Sequence, residues 1–464
     1  MYIMCKLYLS ALFLVLQPYI VTQDWLQHGS RKGFQCLEVV QVLGVIIEKS
    51  LEWGLPMVLV SVDLHRAFDC LRLAYVCRIL EKYRVPVRLR YAILRELCAV
   101  RRISIAMCGQ MMGYIMTQRG LSQGSPEVSF IFALVLGDIL ATLDASWQQR
   151  NLGVLFGRFG GSPMALPSWW DHHFVLLQGQ GVDIENFWIS SMAFLDDMYF
   201  VSRSFDQAQI MFDELLAACA DAGLYPNISK VAWMANKYVS HSAEIAFAIG
   251  NVMIPSSEQI TVLGSIVRAD GHEQPAFHHR IQKGWACFHK WEHILCSRAP
   301  LATRLKFWSK VCEPSLLWGL QTVRAQNKKG LSALQFCQKM QIRKMLKLKR
   351  QPVAGLIEPW LDWHKRTISK AGQICRNFRV GIVDKFHERR QSWGGHLVRL
   401  GILSHVPHMA HFVLLWRPLF WWREQQIFGS LTGDHVKHPT DWGQPRRFEE
   451  SWSTNWMIDA MYAT

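Results

Sequence analysis

Two adjacent carboxylates, Asp196-Asp197, stand between two apolar, β-prone runs, Ala193-Phe194-Leu195 and Met198-Tyr199-Phe200-Val201. That pattern predicts a tight hairpin with the acids at its tip. A second run, Val58-Leu59-Val60-Ser61-Val62, reads as a buried strand that ends on Asp63, and helical spacing follows it. Buried strands rarely end in carboxylates without a reason, because an unpaired charge there is expensive. Three Asp on two neighbouring strands have the oxygen donors to hold two Mg²⁺ ions. Such ions, about 4 Å apart, activate an attacking oxygen and stabilise a leaving one in phosphoryl transfer.

Further motifs follow in a fixed order. Asp63-Leu64-His65-Arg66-Ala67-Phe68-Asp69 comes first, and Arg119-Gly120-Leu121-Ser122-Gln123-Gly124-Ser125-Pro126 second. The Phe194-Leu195-Asp196-Asp197 hairpin is third, Gly223-Leu224-Tyr225-Pro226-Asn227-Ile228-Ser229-Lys230 fourth, and Val262-Leu263-Gly264-Ser265 fifth. Each motif alone is weak; the ordered series is specific. Over residues 58–265 the chain resembles the palm of reverse transcriptases, most closely those of non-LTR (LINE-type) retrotransposons. Looser similarity continues to about residue 400, where Trp393-Gly394-Gly395-His396-Leu397-Val398-Arg399 resembles a signature that follows the thumb in such sequences.

The resemblance implies roles residue by residue. Asp63, Asp196 and Asp197 match the catalytic carboxylates that bind two Mg²⁺ ions. Lys230 matches the lysine beside the leaving pyrophosphate, where an ammonium can donate a proton or stabilise charge. Phe68 falls where an aromatic ring lies under the incoming sugar and excludes a 2′-hydroxyl. Arg119, Gly120, Gln123 and Gly124 fall in the loop that contacts the template and the nascent base pair. The Ser125-Pro126 that follows departs from the usual LINE pattern. Gly264 matches the strand pair that positions the primer 3′ end. The implied partners are an RNA template, a DNA primer and dNTPs.

Composition agrees with a polyanionic partner. The 464-residue chain carries 51 Lys+Arg against 36 Asp+Glu, a net charge of +15, and basic surfaces gain from counterion release on nucleic acid. Twelve cysteines without any C-x-x-C pair read as reduced thiols of an intracellular protein, nuclear or cytoplasmic, and no Cys/His cluster has zinc-ligand spacing. The apolar stretch Leu7–Leu16 is short for a membrane span and reads as a helix of the polymerase fingers rather than a signal peptide; no membrane partner is expected.

The expected fold class is α+β: a right-hand polymerase palm, an antiparallel sheet covered by helices, then a helical thumb and a basic, Trp-rich C-terminal region. Residual fingers helices occupy 1–55 and the palm 56–272, with an insertion at about 147–186. The thumb covers 273–352, and 353–464 has no assigned role. One helix is expected from Arg66 to Tyr83, another from Pro126 to Ala145, and strands over 230–270 that close the palm. The upstream fingers motifs that hold the triphosphate are not found. Two functions therefore compete: an RNA-directed DNA polymerase, and a catalytically inactive nucleic-acid-binding remnant of the same fold. A maturase-like splicing factor fits the motifs less well.

Overall fold

The structure, a computed structural model, describes residues 3–20, 27–30, 33–52, 54–98, 102–107, 110–116, 120–121, 126–155, 188–240, 246–323, 328–353 and 356–403. The chain forms two compact units: Met1–Ile260 with Leu403–Ile427, and Thr261–Ile402 with Phe428–Thr464.

The first unit is built on strand β1 (Val58–Asp63), whose β-branched residues suit a strand buried on both faces. Before it come helices α1 (Ile3–Leu16) and α2 (Cys36–Glu52). After it come α3 (Ala67–Cys70), α4 (Leu73–Lys82), α5 (Val87–Cys98), the hairpin β2 (Arg102–Met107)–β3 (Gln110–Met116) and the long helix α6 (Pro126–Gln149). Short strands β4 (Val154–Leu155) and β5 (Trp188–Ile189) pair with each other. The hairpin β6 (Ser191–Phe194)–β7 (Asp197–Ser202), helix α7 (Phe205–Ala222) and strand β8 (Ala232–Ala235) follow.

Four strands make one antiparallel sheet in the order β6-β7-β1-β8. Helices α2 and α6 pack on β6, and α7 packs on β7 and β1. Helix α7 is started by Ser204, whose Oγ accepts from the Gln207 N–H at 3.2 Å, and stopped by Gly223 at φ +81°. Its buried stripe of Ala208, Met211, Phe212, Leu215 and Cys219 has the 3.6-residue spacing of a core-facing helix. By length and composition the span Val128–Gln149 of α6 could cross a membrane, but 67% of its apolar window is buried in the protein, against α1, α4, α7 and β6.

The expected helix from Arg66 to Tyr83 is broken in two. Leu71 is fully buried, and it and Arg72 are extended. The Arg72 N–H donates to Ala222 O at 2.9 Å, and Leu71 O accepts from the Gly120 N–H at 3.2 Å. Tertiary hydrogen bonds thus replace the helical ones that this stretch gives up. Helix α6 overruns its expected end and reaches Gln149, because Trp147 is buried and donates through Nε1 to Glu214 at 2.8 Å. Most of the expected insertion, 156–187, lies outside the described residues. The 230–270 stretch is strand-rich, but among its described residues only β8 joins the main sheet. Strands β9 (Ala246–Ile249) and β10 (Val252–Pro255) pair with each other, as do β11 (Gln259–Val262) and β12 (Ser265–Arg268).

The second unit is mainly helical: α8 (Gln274–Lys290), α9 (Glu292–Leu295), α10 (Leu301–Leu317) and α11 (Lys328–Leu346), the small hairpin β13 (Pro352–Val353)–β14 (Leu356–Ile357), then α12 (Trp360–Asn377) and α13 (Ile382–Leu403). Phe277, Phe288, Trp308, Leu316, Leu334 and Ile342 form the centre of its core. Trp308 Nε1 donates to Gln341 Oε1 at 2.7 Å, and Gln341 Nε2 donates onward to Gly284 O at 3.1 Å. Both buried polar side chains are therefore satisfied.

Gly223 tests the path of the chain into the fourth motif. A Cβ at this left-handed position would meet Cys70 O at 2.8 Å. Gly223→Ala is expected to cost more than about 1 kcal/mol of unfolding free energy in urea titrations. An unchanged midpoint would contradict the close approach.

Candidate active site

The register of β1 against β7 places Asp63 opposite Asp197, a separation of about 5 Å between Cα atoms in antiparallel pairs. Asp197 also opens β7 opposite Phe194, so Leu195 and Asp196 form a two-residue turn at the tip of the β6–β7 hairpin. Asp63 ends the strand that Asp197 begins beside. The three half-buried carboxylates therefore share one end of the sheet although Asp63 is distant in sequence.

The fourth motif is stitched to the same end. Leu64 and Pro226 form an isolated bridge, and the His65 N–H donates to Tyr225 O at 2.8 Å. The Asn227 N–H donates to Asp63 O at 2.7 Å, while its side-chain Nδ2 donates to Asp63 Oδ2 at 3.3 Å. One 3₁₀ turn, Ile228–Lys230, then brings Lys230 Nζ to 3.0 Å from Asp63 Oδ2. The ammonium is mostly exposed, so this ion pair adds little stability by itself.

The electrostatics follow from crowding. Burial, then the charges of Asp196 and Asp63, push the Asp197 carboxyl up to about 6, against the pull of Lys230. Asp196 is also raised, first by burial and then by Asp63, with its own backbone hydrogen bond and Lys230 opposing. Lys230 is raised by its hydrogen bond to Asp63 and that carboxylate's charge. The cluster thus holds more negative charge than one ammonium offsets. Among the described residues, no three His, Cys, Asp or Glu side chains are gathered tightly enough to hold one ion as they stand; Asp63 Oδ2 faces Lys230 and Asn227 instead. Hard carboxylate oxygens with unbalanced charge nonetheless fit a divalent cation such as Mg²⁺.

The turn is conformationally unusual. Leu195 has φ +57°, a left-handed conformation that costs a non-glycine residue about 1–2 kcal/mol. The Gln27 side chain binds its backbone on both sides: the Leu195 N–H donates to Gln27 Oε1 at 2.8 Å, and Gln27 Nε2 donates to Leu195 O at 3.0 Å.

Other expected site residues are placed as follows. Phe68, half-buried on α3, packs on Phe132 of α6 with ring centroids 4.7 Å apart. Gly120 (φ +86°) lies against the same short helix, and a Cβ there would meet Asp69 O at 2.5 Å. The Leu121 N–H donates to Phe68 O at 2.6 Å, so the structure joins the Phe68 segment to the start of the second motif. Arg119, Gln123 and Gly124 lie outside the described residues. Gly264 belongs to the second unit. There it forms a left-handed turn with Leu263, at φ +83° and +46°. Trp318 Nε1 donates to Leu263 O at 3.2 Å, and Arg280 donates to Gly264 O at 2.5 Å. Nothing in the local sequence announces Trp318 or Arg280 as supports of that turn, whereas Asn227 lies inside the fourth motif.

Residues 1–267, more than half of the chain, match the reverse transcriptase (RNA-dependent DNA polymerase) family. The chain belongs to that family, and its mixed helical and antiparallel architecture is the palm-and-thumb polymerase fold. No curated protein matches the chain. Among solved structures it is similar to the apo telomerase of Candida tropicalis, at 10% identity and a TM-score of 0.41, covering 90% of this chain and 60% of that one. It is also similar to the telomerase of Candida albicans in complex with a fragment of telomeric RNA, at 11% identity and a TM-score of 0.34, covering 73% and 54%. The chain spans about half the length of these telomerase chains. These superpositions are loose, and the family assignment rests on the sequence match.

Because Asp197 has its carboxyl raised from 3.8 to about 6 in the folded chain, its ionised form is a cost to folding. That cost is absent below about pH 4 and grows as pH rises towards 6. Asp197→Asn is therefore expected to gain about 1–2 kcal/mol over wild type at pH 7.5, after discounting for partial exposure. The difference should vanish near pH 4. Denaturant titration at both pH values checks this; equal stabilities at pH 7.5 would contradict the crowding.

Proposed function

We propose that this reverse-transcriptase-family chain is the polymerase portion of a non-LTR (LINE-type) retroelement, an RNA-directed DNA polymerase working by two-metal nucleotidyl transfer. The observation that carries the reading is the pairing of Asp63 with Asp197, with Asp196 at the adjoining turn. The ordered motifs and the Trp393–Arg399 segment support the LINE assignment.

Asp63, Asp196 and Asp197 would ligate the cations, with Asp63 and Asp196 in reach of both and Asp197 a weaker contributor. Two Mg²⁺ ions bound there would supply Lewis-acid stabilisation to the attacking and leaving oxygens. The chain's own groups do the rest. Lys230 lies beside the leaving pyrophosphate and offers it a proton. Phe68, backed by Phe132, forms the floor under the deoxyribose. Gly120 opens the loop, with Arg119, Gln123 and Gly124, that meets the template. The match of Gly264 to the fifth motif supports a role in the strand pair that positions the primer 3′ end. Positioning supplies much of the rate in such transfers.

Residues 1–55 are proposed as fingers helices, 56–272 as palm and 273–352 as thumb, with an RNA template, a DNA primer and dNTPs as partners. The exposed Lys344, Lys347, Lys349 and Arg350 at the end of α11 support phosphate binding. Lys344 is partly engaged with Glu292 at 3.1 Å, which leaves Lys347 and Lys349 as the better probes. Buried free thiols such as Cys219, Cys312 and Cys337 support a reducing, intracellular setting.

Primer extension on an RNA template with Mg²⁺ and dNTPs is the direct test. Wild type should extend, and Asp196→Asn should lose extension by at least about a thousandfold, ~4 kcal/mol of barrier, while RNA binding stays nearly intact. Full activity in that variant would sink the assignment. A wild-type chain that binds RNA but never extends would instead be an inactive nucleic-acid-binding remnant. Replacing both Lys347 and Lys349 by Gln should lower the slope of log affinity against log salt by about 2, roughly one for each phosphate no longer neutralised. An unchanged slope would leave this face merely solvated.

A further inference from the structure

The acidic turn is held by a segment outside the five motifs. Gln27 is 1% exposed and His28 is fully buried. Gln27 forms a parallel bridge with Ala193, and the His28 N–H donates to Ala193 O at 2.8 Å, so the segment runs along β6 to its tip. There the Gln27 amide binds both backbone groups of Leu195. The Gly29 N–H donates to the same Oε1 at 2.8 Å, which fixes the amide orientation. Gly29 leaves room for this close approach: a Cβ on it would meet Leu195 N at 2.6 Å and Leu195 Cγ at 2.7 Å.

The segment is itself anchored. The buried His28 ring lies 3.9 Å from the buried Glu38 carboxylate at the start of α2, and edge-on to Phe34 at 5.5 Å. Glu38 Oε1 also accepts from the Gln35 N–H at 3.0 Å. A continuous path of packed and hydrogen-bonded groups therefore runs from α2 through His28 and Gln27 to Leu195. Leu195 immediately precedes Asp196. A leucine outside the left-handed region would turn the chain differently and re-aim both carboxylates.

We propose that Gln27 is a positioning residue of the polymerase site: its side-chain amide locks Leu195 in the left-handed conformation and so sets the aim of Asp196 and Asp197. The inference rests on the reading of those carboxylates as catalytic. Gln27 touches neither substrate nor the reacting atoms.

A suppressor experiment separates this role from a general structural one. Glycine adopts the left-handed conformation without a clamp. Gln27→Ala should lower kcat about 10- to 100-fold, with KM for dNTP within about threefold of wild type. Adding Leu195→Gly to it should restore at least about tenfold. Gln27→Met keeps the side chain's length but loses the hydrogen bonds to Leu195 and from Gly29, and should fall as Gln27→Ala does. It also serves as the readable variant where Gln27→Ala does not fold. Mn²⁺ affinity, read by electron paramagnetic resonance, gives an activity-independent measure: weakened by Gln27→Ala and Gln27→Met, regained in the double variant. It decides the matter also for a wild-type chain that does not extend primers. Unchanged kcat and Mn²⁺ affinity in the Gln27 variants, or a loss that Leu195→Gly fails to recover, would overturn the proposal. An Asp196→Asn variant that still extends would overturn the catalytic reading instead, whatever Gln27 does.

Discussion

Antiparallel pairing of β1 with β7 sets Asp63 against Asp197, and the local structure around that pairing serves to hold mutually repelling carboxylates in place. Sheet hydrogen bonds fix the backbone of the two strands. The Gly223–Lys230 segment then wraps the end of β1, giving Asp63 an amide donor and an ammonium. Gln27 fixes the turn that carries Asp196. Burial and mutual repulsion push the carboxyls of Asp196 and Asp197 upward. Crowded carboxylates held against their own repulsion are what the proposed cation site requires.

Much of this was legible in the sequence, for a local reason. Hairpin tips, buried strands and helix caps are written in short stretches of chain. The β1 run and the hairpin carrying Asp196-Asp197 read correctly from hydrophobic spacing, although its two-residue turn is Leu195-Asp196 and Asp197 already opens β7. What could not be read there depends on distant partners. Leu71 and Arg72 leave the helix because Ala222 and Gly120 take their backbone groups. Trp147 prolongs α6 because Glu214 takes its indole N–H. The strands after Lys230 carry a β pattern but no signal of which edge they pair with, and among the described residues there only β8 joins the main sheet.

The site itself divides in the same way. Asp196 and Asp197 share a hairpin encoded in one short stretch, whereas Asp63 and Lys230 reach it through the long-range pairing of β1 with β7 and the turn at Ile228–Lys230. Their supports come from far along the chain: Gln27 is 168 residues from Leu195. In the second unit, Trp318 is 55 residues from the Leu263 carbonyl it binds. Both supported turns place a leucine in the left-handed region, at Leu195 and Leu263, and in both a side chain from elsewhere binds that leucine's carbonyl. Strain held by a remote hydrogen bond is a way to fix a backbone position that local propensity would not choose.

We propose the Asp63–Asp196–Asp197 cluster as the divalent-cation site of nucleotidyl transfer. Thermal or denaturant unfolding with and without Mg²⁺ at pH 7.5 tests it without requiring turnover. A cation that binds the folded cluster should stabilise wild type by about 1.4 kcal/mol at ten times its dissociation constant, and Asp63→Asn should abolish that gain. A Mg²⁺ response of the same size in Asp63→Asn and wild type would place the cation elsewhere and contradict the account.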